Sequence, residues 1–220
     1  DLYLKYEADK TIPKKTVPAQ DLFFDLLKER AETGRIYIMN LDHCNTHSSF
    51  KDKVYMSNLC QEITLPTDPL QHIDDDQGEI ALCILSAVNV GGLNDLSELE
   101  NICDLSVRAL EQIIDYQDYP VKAAEVSTKK RRSLGIGYIG LAHYLAKNGV
   151  KYSDPEAWAL VDRLSEAFQY QLLRASCNIA KEKGKCEGFE RTKYADGQLP
   201  IDHYKKDVDK VVPHKRYRTT

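Results

Sequence analysis

The feature that most constrains this chain is a near-continuous apolar run from Ile80 to Val90, Ile-Ala-Leu-Cys-Ile-Leu-Ser-Ala-Val-Asn-Val, closed by Gly91-Gly92. It is too short to span a bilayer, which takes about 20 apolar residues. It also lacks the regular polar-apolar alternation of a strand with one wet face. Its length and flanking glycines predict a strand buried on both faces, the kind found in parallel and barrel sheets. Parallel strands need long crossovers, so such a strand calls for helices around it.

The sequence supplies them. From Asp95 to Gln117, apolar residues fall at 96, 99, 103, 107, 110 and 114. That spacing predicts a long amphipathic helix, and Asp95 with Glu98 predicts a capping box at its start. Pro120 ends it. A second long helix is predicted to begin at Ser153-Asp154-Pro155 and to run to Gly184, with proline suited to the first helical turn. A third spans Gln20 to Thr33 and stops at Gly34. A glycine-weakened helix is expected within Arg132 to Lys147, a buried strand at Ile36–Met39, a polar loop over residues 40–56, and a solvated excursion from Pro66 to Gly78. Residues 185–220 are polar and turn-rich. The alternation of strands with long helices predicts an α/β architecture whose strands are too few to close a barrel alone. The chain opens at Asp1 on Leu2-Tyr3-Leu4 without a lead-in, and we expect an internal segment of a longer protein.

With 42% hydrophobic and 29% charged residues, the composition is that of a globular protein. The net charge is −4 and the basic residues are interleaved with acidic ones, so no nucleic-acid face is expected. Neither a membrane span nor a signal peptide is legible, and a cytoplasmic protein is expected. Six scattered cysteines (44, 60, 83, 103, 177 and 186) fit reduced thiols better than a disulfide framework.

Three constellations could carry chemistry. Gly135-Ile136-Gly137-Tyr138-Ile139-Gly140 formally matches a dinucleotide-binding glycine motif, but the preceding Lys129-Lys130-Arg131-Arg132-Ser133 does not read as the strand that motif requires. Close helix packing on small residues is the expectation there. His43-Cys44-x-x-His47, with Cys60 beyond it, could offer zinc ligands, yet no second pair follows at a structural-zinc interval. We expect a hydrogen-bonded loop and no metal site. The third is Asn58-x-Cys60-x-Glu62. In an extended or tight-loop conformation an amide, a thiol and a carboxylate could converge on one small ligand. Asparagine can donate to and accept from hydroxyls, a carboxylate can take a hydroxyl proton, and sulfur can carry a nucleophilic pair or an unpaired electron. The bland alternative is a loop that buries a cysteine.

At these residues a family resemblance enters. Ser57-Asn58-Leu59-Cys60-Gln61-Glu62-Ile63, followed by Leu65-Pro66-Thr67, resembles the finger loop of the large subunit of class I (aerobic) ribonucleotide reductases. The resemblance continues through Thr33-Gly34-Arg35-Ile36-Tyr37-Ile38, Asp42-His43-Cys44-Asn45-Thr46-His47-Ser48, Gly78-Glu79-Ile80-Ala81-Leu82-Cys83, Leu85-Ser86-Ala87, Ile114-Asp115-Tyr116-Gln117-Asp118-Tyr119-Pro120 and Arg131-Arg132-Ser133-Leu134-Gly135-Ile136-Gly137. It implies part of a ten-stranded α/β barrel over residues 1–210, with a central finger loop, and a tail at 211–220 that bears no family signature. It implies that Cys60 forms the thiyl radical that abstracts the ribose 3′ hydrogen, that Glu62 is the base on the 3′ hydroxyl, and that Asn58 and Ser57 contact the substrate. Cys83 becomes one of the two cysteines that reduce the 2′ carbon. The implied partners are a ribonucleoside diphosphate, a metal-containing small (beta) subunit that supplies the radical, a second large subunit, and thioredoxin or glutaredoxin as reductant. No cofactor is expected on this segment itself, and ATP binding is implied for the parent protein.

The family's other redox cysteine, its ATP-binding cone, its specificity and phosphate-binding loops, its radical-relay tyrosines and its shuttle cysteines have no counterpart here. Tyr116 and Tyr119 read as helix-end packing rather than as that relay. The chain alone is therefore expected to be inactive. The alternative is a non-catalytic piece of a split or truncated subunit that folds only against complementary chains.

Overall fold

In the computed structural model, which describes residues 2–200 and 202, the apolar run does become a strand, but a shorter one. β1 covers Ile84–Asn89 and pairs in parallel with β2, Leu134–Ile139, in the register Ile84↔Leu134 to Asn89↔Ile139. Ile84 and Val88 are buried while Leu85 is 60% exposed, so one face of β1 is covered and the expectation of two buried faces is corrected. The reason is packing: Val88 clusters with Leu99 and Cys103 and Ile84 with Leu110 and Ile114, and no described element covers Leu85. Among the described residues the sheet has these two strands. The chain is thus mixed helix and sheet without a closed barrel.

The crossover between the strands is made by two helices, α4 (Leu99–Tyr116) and α5 (Lys122–Arg131). α4 starts as predicted. A 3-10 turn at Leu96–Glu98 precedes it, Asp95 accepts from the Ser97 N–H, and the Glu98 carboxylate accepts from the Asn94 and Asp95 N–H groups. The stripe read from the sequence, Leu99, Cys103, Val107, Leu110 and Ile114, is buried throughout. Each such residue contributes about 1.5–3 kcal/mol by leaving water. Against it lies α7 (Pro155–Lys183), which ends at Gly184 as expected and contributes Leu164, Phe168, Ala175 and Ile179 to the core. The two helices are also tied outside the core, where Arg108 donates to Asp104 and, through both terminal nitrogens, to Glu182.

Several local expectations are sharpened or corrected. The helix expected within Arg132–Lys147 is present as a short one, α6 (Leu141–Lys147), because β2 takes the residues before it. The glycines decide this. Gly135 lies on β2 where a β-carbon would overlap Leu85 Cδ2 of the neighbouring strand, and Gly140 turns the chain at φ 78° against the Asn89 side chain. Close packing of small residues is correct, but on strands instead of a helix. The stretch Leu41–His47 is a helix, α3, rather than a loop, because its polar side chains bond back along it: Thr46 donates to the Asp42 carbonyl and Asn45 to that of Leu41. Ile36–Met39 forms no strand; no described strand pairs with it, and Tyr37 and Ile38 are exposed. At the end of α4, Tyr119 packs as expected, its hydroxyl donating to the Ile114 carbonyl, whereas Tyr116 lies off the buried stripe and is 91% exposed.

The chain divides into two compact units. One gathers residues up to Asn40 together with Asn58–Glu62; the other gathers Leu41–Ser57 and the residues from Ile63 onward. The first contains α1 (Leu2–Ala8) and α2 (Ala19–Thr33), the latter capped by Gly34 in the left-handed conformation as the sequence predicted. It also holds Ile36–Met39, and the remaining helices and both strands belong to the second. The tail 211–220 lies outside the described residues.

Candidate functional site

The segment Asn58–Glu62 is a tight turn. The Gln61 N–H donates to the Asn58 carbonyl at 3.1 Å, and Gln61 has φ 62°, a left-handed conformation that a residue with a β-carbon adopts only at a cost. Of the two conformations that would let Asn58, Cys60 and Glu62 share one site, the structure has the tight loop. Cys60 and Glu62 are exposed, and Leu59 between Asn58 and Cys60 is 83% exposed. The turn therefore does not bury its cysteine among the described residues. The contrast is Cys103, buried in the core on α4, whose thiol is pushed up to about 11 by burial. A cysteine that reacts has to be reached, and Cys60 is.

The stems of the connection that carries this turn are fixed by side chains of the second unit. The Ser57 hydroxyl donates to the Ile63 carbonyl at 2.7 Å, joining the residues on either side of the turn. Ser57 was read as a substrate contact; in the structure its hydroxyl has this backbone partner. Three residues earlier on the incoming stem, Val54 is buried, and Asn45 of α3 bonds both its N–H and its carbonyl. The His-Cys-x-x-His segment is thus the scaffold that holds the incoming stem. On it His43 and His47 meet edge to face and a His47 ring nitrogen lies 3.1 Å from the His43 carbonyl. Among the described residues no group of three or more His, Cys, Asp or Glu is placed to hold a metal ion.

Behind the stems lies a charge network. Glu79 and Arg131 are both buried, and Arg131 donates twice to Glu79 Oε2, at 2.9 and 2.6 Å. Arg131 also reaches Asp52, Lys130 pairs with both Asp68 and Glu79, and Arg191 bonds Asp68 through two nitrogens and Asp52 through Nε. Burial would raise the Glu79 carboxyl, but the hydrogen bonds from Arg131, Lys130 and the Asp68 N–H outweigh it and hold the group below its ordinary value. The Arg191 hydrogen bonds, with help from Lys130, hold Asp68 well below the usual carboxylate range despite partial burial. These residues were not singled out from the sequence, since they are charged side chains scattered from 52 to 191. A faint signal was present: Gly78-Glu79-Ile80 and Arg131-Arg132-Ser133, two of the resemblance segments, each supply one half of the buried pair.

Cys83 lies in the second unit, one residue before β1, and is exposed. The structure thus places Asn58, Cys60 and Glu62 on one turn and Cys83 at the mouth of a strand. The glycine motif is not a dinucleotide site. Its first two glycines lie within β2 instead of in the turn after a strand, and α6 is short.

Comparison with known proteins follows the same lines. Residues 1–218 match the family model described as the barrel domain of ribonucleotide reductase. A ribonucleoside-diphosphate reductase subunit alpha from Haemophilus influenzae is 60% identical over 214 residues, covering 96% of this chain and 28% of that protein. The corresponding subunit 1 alpha from Escherichia coli K12 is 55% identical over 213 residues, again 96% and 28%. The subunit alpha of Enterobacteria phage T4 is 40% identical over 220 residues, 98% of this chain and 28% of its own length. The chain spans less than a third of the curated relatives it matches.

Proposed function

Because this chain belongs to the ribonucleotide reductase barrel-domain family, we propose that the subunit containing it reduces ribonucleoside diphosphates to 2′-deoxyribonucleoside diphosphates, with the Cys60 turn at the centre of the reaction. Residues 1–210 form part of a ten-stranded barrel in this reading, with β1 and β2 as two of its strands and Asn58–Glu62 as its finger loop. The observation that carries it is the tight, exposed turn that presents a thiol between an amide and a carboxylate.

The chemistry of these three groups fits a ribose. A radical on Cys60 Sγ takes the hydrogen atom from C3′, forming S–H and leaving a carbon radical. Glu62 takes the proton of the 3′ hydroxyl, while Asn58 hydrogen-bonds the ribose hydroxyls and holds the carboxylate. Charge gathering on the 3′ oxygen eases departure of the 2′ hydroxyl, which leaves as water with a proton from a thiol. Two electrons then come from a pair of thiols that close to a disulfide, Cys83 supplying one sulfur and the subunit outside this segment the other. Cys60 returns the hydrogen atom to C3′ and recovers its radical. A small subunit supplies that radical, and thioredoxin or glutaredoxin reopens the disulfide. The metal that generates the radical belongs to the small subunit.

The test uses the full-length subunit reconstituted with its small subunit. Cys60→Ser abolishes turnover, and Glu62→Gln lowers kcat by about 10²–10⁴-fold, the usual worth of a positioned base. Cys177→Ser, an exposed cysteine on α7, leaves activity within about twofold. Persistent reduction by the Cys60→Ser enzyme contradicts the reading.

A further inference from the structure

The charge network has a geometry that core packing alone does not require. The connection bearing the Cys60 turn leaves α3, passes Asp52, makes the turn and returns past Asp68. One side chain holds both ends: Arg191 bonds Asp52 Oδ2 through Nε at 2.7 Å and both Asp68 oxygens through its terminal nitrogens at 2.8 Å. The backbone around Arg191 is itself laced to the incoming stem. The Lys51 N–H donates to the Arg191 carbonyl, the Lys193 N–H to the Ser49 carbonyl, and Phe50 bridges Thr192 in antiparallel fashion. The outgoing stem is also backed by Glu79, whose N–H donates to the Asp68 carbonyl and whose carboxylate accepts from the Asp68 N–H and from buried Arg131.

From this arrangement we infer that Arg191 is a positioning residue for the Cys60 turn, a guanidinium clasp that sets the spacing of the two stems. The inference rests on the reading of Cys60 as the reacting group. A planar guanidinium suits the task because it can take one carboxylate side-on and leave its Nε for another, a geometry that a lysine ammonium does not reproduce. Arg191 touches no reacting atom. Its contribution is made through the stems, which Ser57 and Ile63 also join and which Arg131 links through Asp52 and Glu79, and small misplacements at a radical centre are costly.

The measurement is steady-state kinetics of the full-length subunit with its small subunit. Arg191→Ala is expected to lower kcat about 10- to 100-fold with the KM for the nucleoside diphosphate changed by less than about twofold. Arg191→Lys, which keeps the charge and is the safer variant for folding, is expected to lose about as much. Guanidinium at sub-denaturing concentration is expected to restore part of the Arg191→Ala rate and none of the Arg191→Lys rate. Arg108→Ala likewise removes a guanidinium that pairs two carboxylates, Asp104 on its own helix and Glu182 on α7, remote in sequence from the stems, and is expected to keep kcat within about twofold. Wild-type kcat in Arg191→Lys, or a loss in Arg191→Ala that guanidinium does not touch and Arg108→Ala shares, overturns the clasp. Cys60→Ser separates the two ideas: if it is inactive and the Arg191 variants are normal, the clasp alone fails, and if it is active, the reading of the site fails first.

Discussion

At the scale of single residues the chain concentrates cost in two places, the left-handed Gln61 in the turn and the buried pair Glu79–Arg131 behind it. Removing one member of a buried, hydrogen-bonded pair strands the other, which costs about 3–5 kcal/mol. Glu79→Gln is expected to lower the urea midpoint of the folded subunit accordingly at pH 7. The pair also sets a pH limit. The folded Glu79 and Asp68 carboxyls sit below their ordinary values, so the stability they contribute is complete above an unfolded value of about 4 and is lost as pH falls from there toward the folded values. Urea midpoints taken at pH 5 and pH 3 are expected to fall between the two, and by less in Glu79→Gln; an equal fall in both proteins contradicts the assignment. From the sequence, local spacing marked Asn58, Cys60 and Glu62 as a candidate group in an extended or tight-loop conformation, and the structure has the tight turn. Arg191 and Asp52 were not, because what matters about them is a meeting between distant segments, and an exposed-looking charge carries no local sign of it.

Among the elements, α4 and α7 were readable to within a few residues because each combines a long apolar stripe with a marked end, the Asp95–Glu98 box in one and Pro155 with Gly184 in the other. α5 escaped notice, since Lys122–Arg131 is too polar for a stripe and is held by the charge network and by Arg132, whose left-handed backbone ends the helix while its side chain bonds Glu111 and Asp115. β2 was masked by its glycines, which weaken strand and helix alike until a neighbouring strand is present to demand them. Three substitutions probe this. Asp95→Ala is expected to cost about 1 kcal/mol by removing the cap. Gly140→Ala has both a left-handed backbone and an overlap with Asn89 against it, and is expected to cost more than Gly149→Ala, which has a positive φ but open space. Thermal melts of the three variants check the order.

At the scale of the whole molecule, the exposed apolar side chains tell the same story as the relatives' length. Leu22, Phe23 and Phe24 on α2, Leu85 on β1 and Trp158 on α7 are all more than half exposed, an arrangement that fits a chain whose further partners lie in the rest of a longer protein. The two strands fit a barrel that needs others to close. Co-expression of residues 1–220 with the remaining parts of a full-length relative is expected to recover deoxyribonucleotide formation; stable association without product favours a non-catalytic role. The central claim concerns one hydrogen atom, and it is tested most directly with a ribonucleoside diphosphate deuterated at C3′. Breaking the C3′–H bond is slower for deuterium than for hydrogen, whether or not the atom later returns from sulfur. The full-length holoenzyme is expected to reduce the deuterated substrate more slowly than the ordinary one and the Cys60→Ser enzyme to reduce neither, whereas the same isotope effect in an active Cys60→Ser enzyme would place the abstracting group somewhere other than Cys60.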